Sequence, residues 1–302
     1  MENKLVSIII LNLNGYEITR DCLRSVEKNT VYPNYEILLI DNGSTDGSAE
    51  RLKAEFPQIH LLKNEFNKGF AYGVNQGYRE GRGHYLFHLN NDTEVTEGWI
   101  EEALKTLESD PKIALAGCTE INKEQLDDPH ALRKLKGRRD RTVMTVPVAW
   151  VLRKKTIEEI GYLDAEHFSP IYGEEMDWNY RARSKGYKIM RSARCLIAHY
   201  HSVTSKANLG KEKTYLLANT HRLRSMLINL NMFQLVRYAP GLALIFFNSF
   251  REGLAVALLK SYWRNILDLP MIMEQRRRRK KNPYIPFLEP VFTPPFEMKK
   301  KS

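Results

Sequence analysis

The feature that most constrains the fold is a run of apolar, β-branched residues, Val6–Leu11 (VSIIIL), which returns in shorter form at Glu36–Ile40, Ile59–Leu62, His84–Leu89 and Ile113–Ala116. Such runs show no polar face, so they belong to strands covered on both sides. Helical patterning fills the intervals at Tyr16–Lys28, Thr45–Phe56, Gly69–Arg79 and Glu97–Glu108. Strands alternating with helices at this spacing imply βαβ units, hence an α/β fold with a mostly parallel sheet flanked by helices. Ligands of such sheets bind beyond the carboxyl ends of the strands. Polar residues gather at those ends, in Asn12–Asn14, Asp41–Ser44 and Asn90–Asp92.

Beyond Cys118 the alternation stops. Thr119–Arg141 is highly charged with little apolar periodicity and is expected to form a mobile or acceptor-side loop. Thr145–Leu152 reads as a strand, Thr156–Ile160 as a short helix, Asp164–Gly173 as a loop and Glu174–Lys185 as a helix. Cys195–Ala198 reads as a short strand that delivers His199 and His201. From Lys211 the pattern is helical, and the Pro-rich end, from Pro283 to Pro295, reads as an extended tail. The chain therefore divides into an α/β part at 1–210, expected to hold the ligand crevice, and a helical, basic extension at 211–302.

Charge sharpens that division. The formal charge of +10 on 302 residues points to nucleic acid, an anionic membrane or a phosphorylated substrate. Residues 230–302 carry 13 Lys and Arg against 5 Asp and Glu, whereas residues 1–229 carry 33 against 31. The basic character thus belongs to the extension, above all to Arg276–Lys281. The same stretch holds Tyr238–Phe250, 13 residues without a charge, too short for a bilayer span of about 20. An apolar face beside a basic cluster is the composition of an interfacial membrane segment; a solvated basic tail on a helical bundle is the alternative. Three scattered cysteines, Cys22, Cys118 and Cys195, fit a reducing compartment. The start MENKLVSIII lacks the marks of a signal peptide. The expected location is the cytoplasm, peripheral at the inner face of the cell membrane.

Four polar constellations could carry chemistry. Asp41, followed by NGSTDGS, is either the start of a turn and helix cap or a carboxylate that accepts from a nucleobase or ribose. Asn90-Asn91-Asp92 is either another turn or a place for a hard divalent cation, which takes one or two carboxylates and substrate phosphates. Glu174-Glu175-Met176-Asp177 favours a helix N-terminus electrostatically, but adjacent carboxylates also raise one another's pKa, as a general base requires. Trp178 beside them could exclude water or stack on an acceptor sugar. His199 and His201 would face one way from a strand, as metal ligands or as core histidines.

Taken in order, these pieces resemble an inverting glycosyltransferase of family 2, with the GT-A fold and its Rossmann-like sheet. The matching stretches are VSIIILNLNG, LLIDNGSTDGS, NKGFAYGVNQG, HLNNDT in place of the usual DxD, YGEEMDWNYR and IAHYHS, covering roughly residues 5–205. The resemblance is nearest to the bacterial rhamnosyltransferase-like subset. It implies transfer of a sugar from a nucleotide-diphosphate donor of UDP or dTDP type to a glycan or lipid-linked acceptor, in cell-surface polysaccharide or glycolipid assembly. Asp41 would contact the base, with Leu11, Asn12, Asn14 and Gly43 lining its pocket. Asn67, Gly69, Asn75, Asn90, Asn91 and Arg181 would serve the rest of the donor. Asp92, with His199, would hold Mg²⁺ or Mn²⁺. Glu175 would be the base, with Glu174 as its rival, Asp177 and Arg181 as supporting neighbours, and Trp178 on the acceptor side.

Three other readings compete. A nucleic-acid-binding protein would explain the charge, but the basic residues have no reading helix or aromatic-interleaved sheet motif. A nicotinamide-dependent dehydrogenase would need GxGxxG after the first strand, where NLNGYE stands. An idle relative that only binds donor is disfavoured by the presence of Asp41, Asp92 and Glu175.

Overall fold

The computed structural model describes residues 3–143, 148–200 and 209–281. The first half follows the patterning, with one short strand, β5, that it did not show: β1 (Val6–Asn12), α1 (Tyr16–Asn29), β2 (Tyr35–Asp41), α2 (Ser48–Glu55), β3 (His60–Lys63), α3 (Phe70–Glu80), β4 (Tyr85–Leu89), β5 (Thr93–Val95) and α4 (Trp99–Glu108). β6 (Ile113–Ile121), α5 (Lys123–Leu126), α6 (Pro129–Lys136), β7 (Arg141–Thr142), β8 (Ala149–Arg153), α7 (Lys154–Ile160), α8 (Glu174–Ser184) and β9 (Lys188–His199) follow.

These strands form one nine-stranded sheet in the order β3-β2-β1-β4-β8-β6-β9-β5, with β7 beside β9. β3, β2, β1 and β4 are mutually parallel, and β6 runs parallel to β9. β8 is antiparallel to both β4 and β6, and β5 and β7 are antiparallel to β9. The sheet is therefore parallel in its first half and mixed in its second.

The absence of a polar face on β1 has a direct cause. Ile8 and Ile10 pack with Leu23, Val26, Trp99 and Leu104 under α1 and α4. Ile9 packs with Val74, Tyr78 and Trp178 under α3 and α8. Each such side chain, fully buried, contributes about 1.5–3 kcal/mol. The three cysteines are free and buried, Cys118 Sγ lying 2.7 Å from Cys195 Sγ.

Two expectations are corrected. Thr119–Arg141 is not a loop: β6 runs on to Ile121, and α5 and α6 follow, capped by Asn122 and Asp128. Their few apolar residues, Leu126, Leu132 and Leu135, close on Ile121, Leu196 and Ala198. The strand delivering His199 starts at Lys188, well before Cys195; its first half is only partly covered, so its charges hid it. The first residues expected in the 145–152 strand, His201 and the Pro-rich end lie outside the described residues.

The C-terminal part is helical: α9 (Lys211–Asn229), α10 (Met232–Arg251), α11 (Ala255–Leu267) and α12 (Leu269–Lys281). α9 packs on α8 and also on α11 and α12. Phe168, Ile228 and Ile272 form the shared apolar contact. The basic run is consequently no free tail: Arg276 donates to Leu227 O at 2.6 Å and Arg279 to Asp177 Oδ1 at 2.6 Å, while Arg277 and Arg278 stay exposed. α10 is the opposite case, buried only at Ser249, with Phe233 at 76% and Phe247 at 67% exposure. Among the described residues no helix is long and apolar enough to cross a membrane.

Candidate active site

The crevice forms at the carboxyl ends of β1, β2 and β4, where parallel registry sets Asn12 beside Asp41. Asp41 is buried and accepts from Asn12 Nδ2 at 2.8 Å and from Ser44 N at 3.1 Å. Asn12 also donates to Ser44 Oγ and Ser48 Oγ and accepts from Thr19 Oγ1. It is fully buried, so it braces Asp41 and does not line an open pocket. Thr19, on α1, in turn accepts from Asn91 Nδ2 at 2.8 Å, which makes Asn91 a buried tie from the end of β4 to α1. Leu11 is half-buried and Asn14 exposed on the rim, Asn14 Oδ1 accepting from Thr45 N at 2.8 Å. Gly43 has φ +85°, and a Cβ there would stand 2.4 Å from Phe66 C. Asn90 accepts from His88 Nε2 at 2.9 Å.

On the far side of β4, strand pairing of β5 with β9 brings Asp92 to His199. His199 Nε2 lies 3.4 Å from Asp92 Oδ1, and Nδ1 lies 3.1 Å from Glu120 Oε2. Burial alone would lower the histidine pKa, but the two carboxylates outweigh it and lift it to about 9. Among the described residues no group of three or more His, Cys, Asp and Glu side chains is arranged to hold a metal ion. An oxygen and an imidazole donor facing each other nevertheless fit a divalent cation whose remaining positions are filled by substrate phosphate and water.

The glycine-rich turn lies against the segment ahead of α8. Asn67 Oδ1 accepts from Gly69 N at 2.9 Å and from Asn42 Nδ2 at 3.0 Å, shaping the turn. Gly69 has φ +89°, and a Cβ there would stand 3.1 Å from Pro170 O and 3.4 Å from Ser169 Oγ. Asn75, expected at the ribose and diphosphate, is committed elsewhere. It donates to Leu163 O at 2.8 Å and accepts from Leu163 N at 2.9 Å, so its buried amide clamps the 163 segment.

α8 opens with Tyr172 at φ +77° and Gly173 at φ +85°. Ile171 O and Tyr172 O both accept from His221 Nδ1, at 2.8 and 3.1 Å, which holds this strained turn. Glu174 is buried, its Oε2 without a hydrogen-bond partner, and burial and Glu175 push its pKa well up. Glu175 is only half-buried. Burial raises its pKa, and the N–H groups of Gly173, Glu175 and Met176 with Arg222 pull the other way. Asp177 has no exposure: Arg181 Nε donates to it at 2.9 Å and Asn229 Nδ2 at 2.8 Å. Burial would raise its pKa, but Arg279 and Arg181 hold it near 2. Both Asp177 oxygens are thus enclosed among α8, α9 and α12. Arg181, expected at the donor, spends its other nitrogens on Ile160 O and Tyr162 O. Trp178 is corrected likewise: it is 2% exposed in the core and donates to Gly161 O, leaving no face for a sugar.

Residues 7–161 match the family Glycosyl transferase family 2. The chain belongs to that family. This family 2 chain is 23% identical over 239 residues to the O-antigen biosynthesis protein RfbC of Myxococcus xanthus, covering 70% of this chain and 18% of that protein. It is 25% identical over 195 residues to glycosyltransferase AglE of Haloferax volcanii, covering 61% of this chain and 63% of that one. The chain thus spans less than two thirds of either relative. Among solved structures, GalNAc-T7 with UDP, GalNAc and Mn²⁺ superposes with a TM-score of 0.61 at 17% identity, covering 79% of this chain and 51% of that one. That likeness shows the GT-A fold.

The matched span of this family 2 chain ends before Glu174, Glu175 and His199. It also ends before two residues that sequence reasoning missed, His221 and Arg279, while a third, Glu120, lies within it. Glu120 stood in a stretch expected to be a loop. His221 and Arg279 lie in helices whose patterning showed amphipathicity but no target. Only the packing of α9 and α12 against α8 reveals them.

Proposed function

We propose that this chain transfers a sugar from a UDP- or dTDP-type donor to a hydroxyl of a glycan or lipid-linked acceptor, with inversion, in cell-surface polysaccharide or glycolipid assembly. The observation that carries this reading is the contact of the glycine-rich turn with the segment preceding Glu175, Phe70 N donating to Pro170 O at 2.8 Å. It sets a donor-side loop and a carboxylate-bearing helix around one crevice, whose other wall holds Asp41, Asp92 and His199. The likeness to an O-antigen biosynthesis protein of M. xanthus and the UDP and Mn²⁺ of the solved neighbour support the same reading.

In the reaction the acceptor oxygen bonds to the anomeric carbon as the bond to diphosphate breaks, through an oxocarbenium-like transition state. Glu175 takes the acceptor proton; it is only partly buried, whereas Glu174 is enclosed. Asp41 accepts a hydrogen bond from the nucleoside, and Asn12 and Ser44 keep its carboxylate in place. Asp92 and His199, together with the donor phosphates, would hold Mg²⁺ or Mn²⁺, which would supply positive charge for the departing diphosphate. Glu120 orients His199 so that Nε2 faces Asp92.

The division at 210 is kept as a functional one. α10 and α11 present Phe233, Phe247 and Trp263 to the outside with Arg237, Arg251, Lys260 and Arg264 among them. This composition suits the anionic inner face of a cell membrane, at about 1 kcal/mol per basic residue near the surface. Replacing Phe233, Phe247 and Trp263 together by Ser should abolish flotation with anionic vesicles; unchanged flotation rejects the membrane reading. The transferase reading is tested by a donor screen scoring nucleotide release with and without Mn²⁺ and acceptor. Absence of acceptor-dependent release with every UDP and dTDP sugar rejects it.

A further inference from the structure

We infer that Arg279, on the C-terminal helix α12, is a positioning residue for the helix that presents Glu175, so that α12 belongs to the catalytic apparatus. The inference rests on the reading of Glu175 as the base.

Asp177 stands two residues after Glu175, and its N–H closes the first turn of α8 on Gly173 O at 2.9 Å. Its carboxylate is fully buried and is reached from three elements: Arg181 of α8, Asn229 at the end of α9 and Arg279 of α12. The last of these is 102 residues away in sequence. Arg279 also bonds Asn229 Oδ1, and its Nη2 lies 3.9 Å from Asp164 Oδ2. Asp164 in turn accepts from His167 Nδ1 at 2.9 Å, and Gln275, one turn before Arg279, lies 3.3 Å from His167 Nε2. One guanidinium thus ties α8, α9 and the 164–167 segment, which leads directly into the turn ahead of the base.

A buried carboxylate that loses one of its cations is strongly destabilising, whereas removal of both charges is much less so. Arg181 is no substitute, because its remaining nitrogens are spent on two carbonyls. Without Arg279 the Asp177 carboxylate keeps Arg181 and Asn229 but loses one of its two cations and its only tie to α12 among the described residues. A displacement of that turn moves Glu175 relative to the acceptor but leaves the donor crevice on β1 and β2 in place. The position on the helix matters as well. Arg277 is exposed on the outer face, so it carries the same charge without the contact.

The test compares the full chain with Arg279→Gln, Arg279→Lys and Arg277→Gln, using a water-soluble acceptor. Arg279→Gln should lower kcat by about 10- to 100-fold with donor KM changed less than about twofold. Amide exchange of Glu174–Asp177 should quicken about tenfold, since local opening is eased. Arg279→Lys should fall between, and Arg277→Gln should match the native chain in both readouts. An Arg279→Gln protein that keeps native kcat and native exchange overturns the inference. If that variant does not fold, Arg279→Lys takes its place, and a folded Lys variant with native kcat and native exchange overturns it equally. Should the native chain turn over no donor, the transferase reading fails, while exchange in Arg279→Lys still decides whether the strap holds α8.

Discussion

Phe70 and Pro170 are joined by one backbone hydrogen bond, 2.8 Å from the amide of the first to the carbonyl of the second. It is the point at which the glycine-rich turn and the segment before α8 meet, and Gly69 is what lets them approach. Gly69→Ala would combine a φ of +89° with a Cβ 3.1 Å from Pro170 O. We expect kcat/KM to fall about 10- to 100-fold, because a misplacement near 1 Å has that effect. Steady-state kinetics and a thermal melt separate this from simple unfolding.

Glu175→Gln should remove a general base, lowering kcat about 10²- to 10⁴-fold while UDP or dTDP binding persists. Glu174→Gln should be mild, because the buried Glu174 carboxyl is already driven toward its neutral form by burial and by Glu175. Loss of activity in the second variant, with retention in the first, would exchange their roles.

Asn75→Ala leaves Leu163 N and O without their partner. A buried polar group left unsatisfied costs about 1–3 kcal/mol, so urea denaturation should show a loss of a few kcal/mol. Donor affinity at the permissive temperature should be nearly native. A variant of native stability that binds donor poorly would restore Asn75 to the donor site.

Asp92→Asn and Glu120→Ala should both weaken Mn²⁺ binding in the presence of UDP, by about 10- to 100-fold, the second because His199 loses its orienting carboxylate. Calorimetry of Mn²⁺ into the protein–UDP mixture measures this directly. Unchanged affinity in both variants would place the cation elsewhere.

Acid should loosen the α8 turn through His221. Burial pushes its pKa down to about 4, the carbonyls of Ile171 and Tyr172 opposing and Arg224 reinforcing the shift. The unfolded value is higher, so the unfolded chain binds the proton first. The neutral ring's contribution is whole above the unfolded pKa and is lost as pH falls toward about 4, roughly 2 kcal/mol of it between pH 7 and pH 5. His221→Asn keeps a donor near the Nδ1 position and cannot titrate. Its unfolding free energy should show a correspondingly shallower fall over that interval, and an unchanged slope would refute the assignment.

The four apolar strands and four helices read up to Glu108 were legible because each is a strong local signal bounded by turn residues, whereas the three-residue β5 carries too short a pattern to be read. The acidic start of α8 and the pairing of Asp92 with His199 could be anticipated from motif order. Roles set by long-range hydrogen bonds could not. Asn12, Asn75 and Trp178 look like ligand-facing polar or aromatic residues at strand and helix ends, yet each satisfies a buried partner or fills the core. The basic run shows the same limit from the other side. Its composition is that of a solvated or lipid-facing stretch, but helical geometry turns Arg276 and Arg279 inward and Arg277 and Arg278 outward.

The apolar character of both faces of β1 and β2 leaves their alignment weakly specified by the core. Ile, Leu and Val would fit under either layer of helices, so a slip by one residue is tolerable to packing. Such a slip would carry Asp41 to the opposite face and erase the crevice. The polar knot of Asn12 with Asp41, Ser44, Ser48 and Thr19 at the crevice end, with the buried bond of Ser7 to Glu36 at the other end, distinguishes the native alignment. Its members act as an indexing pin: they add little burial energy, yet without them the strands could be well packed and chemically blank.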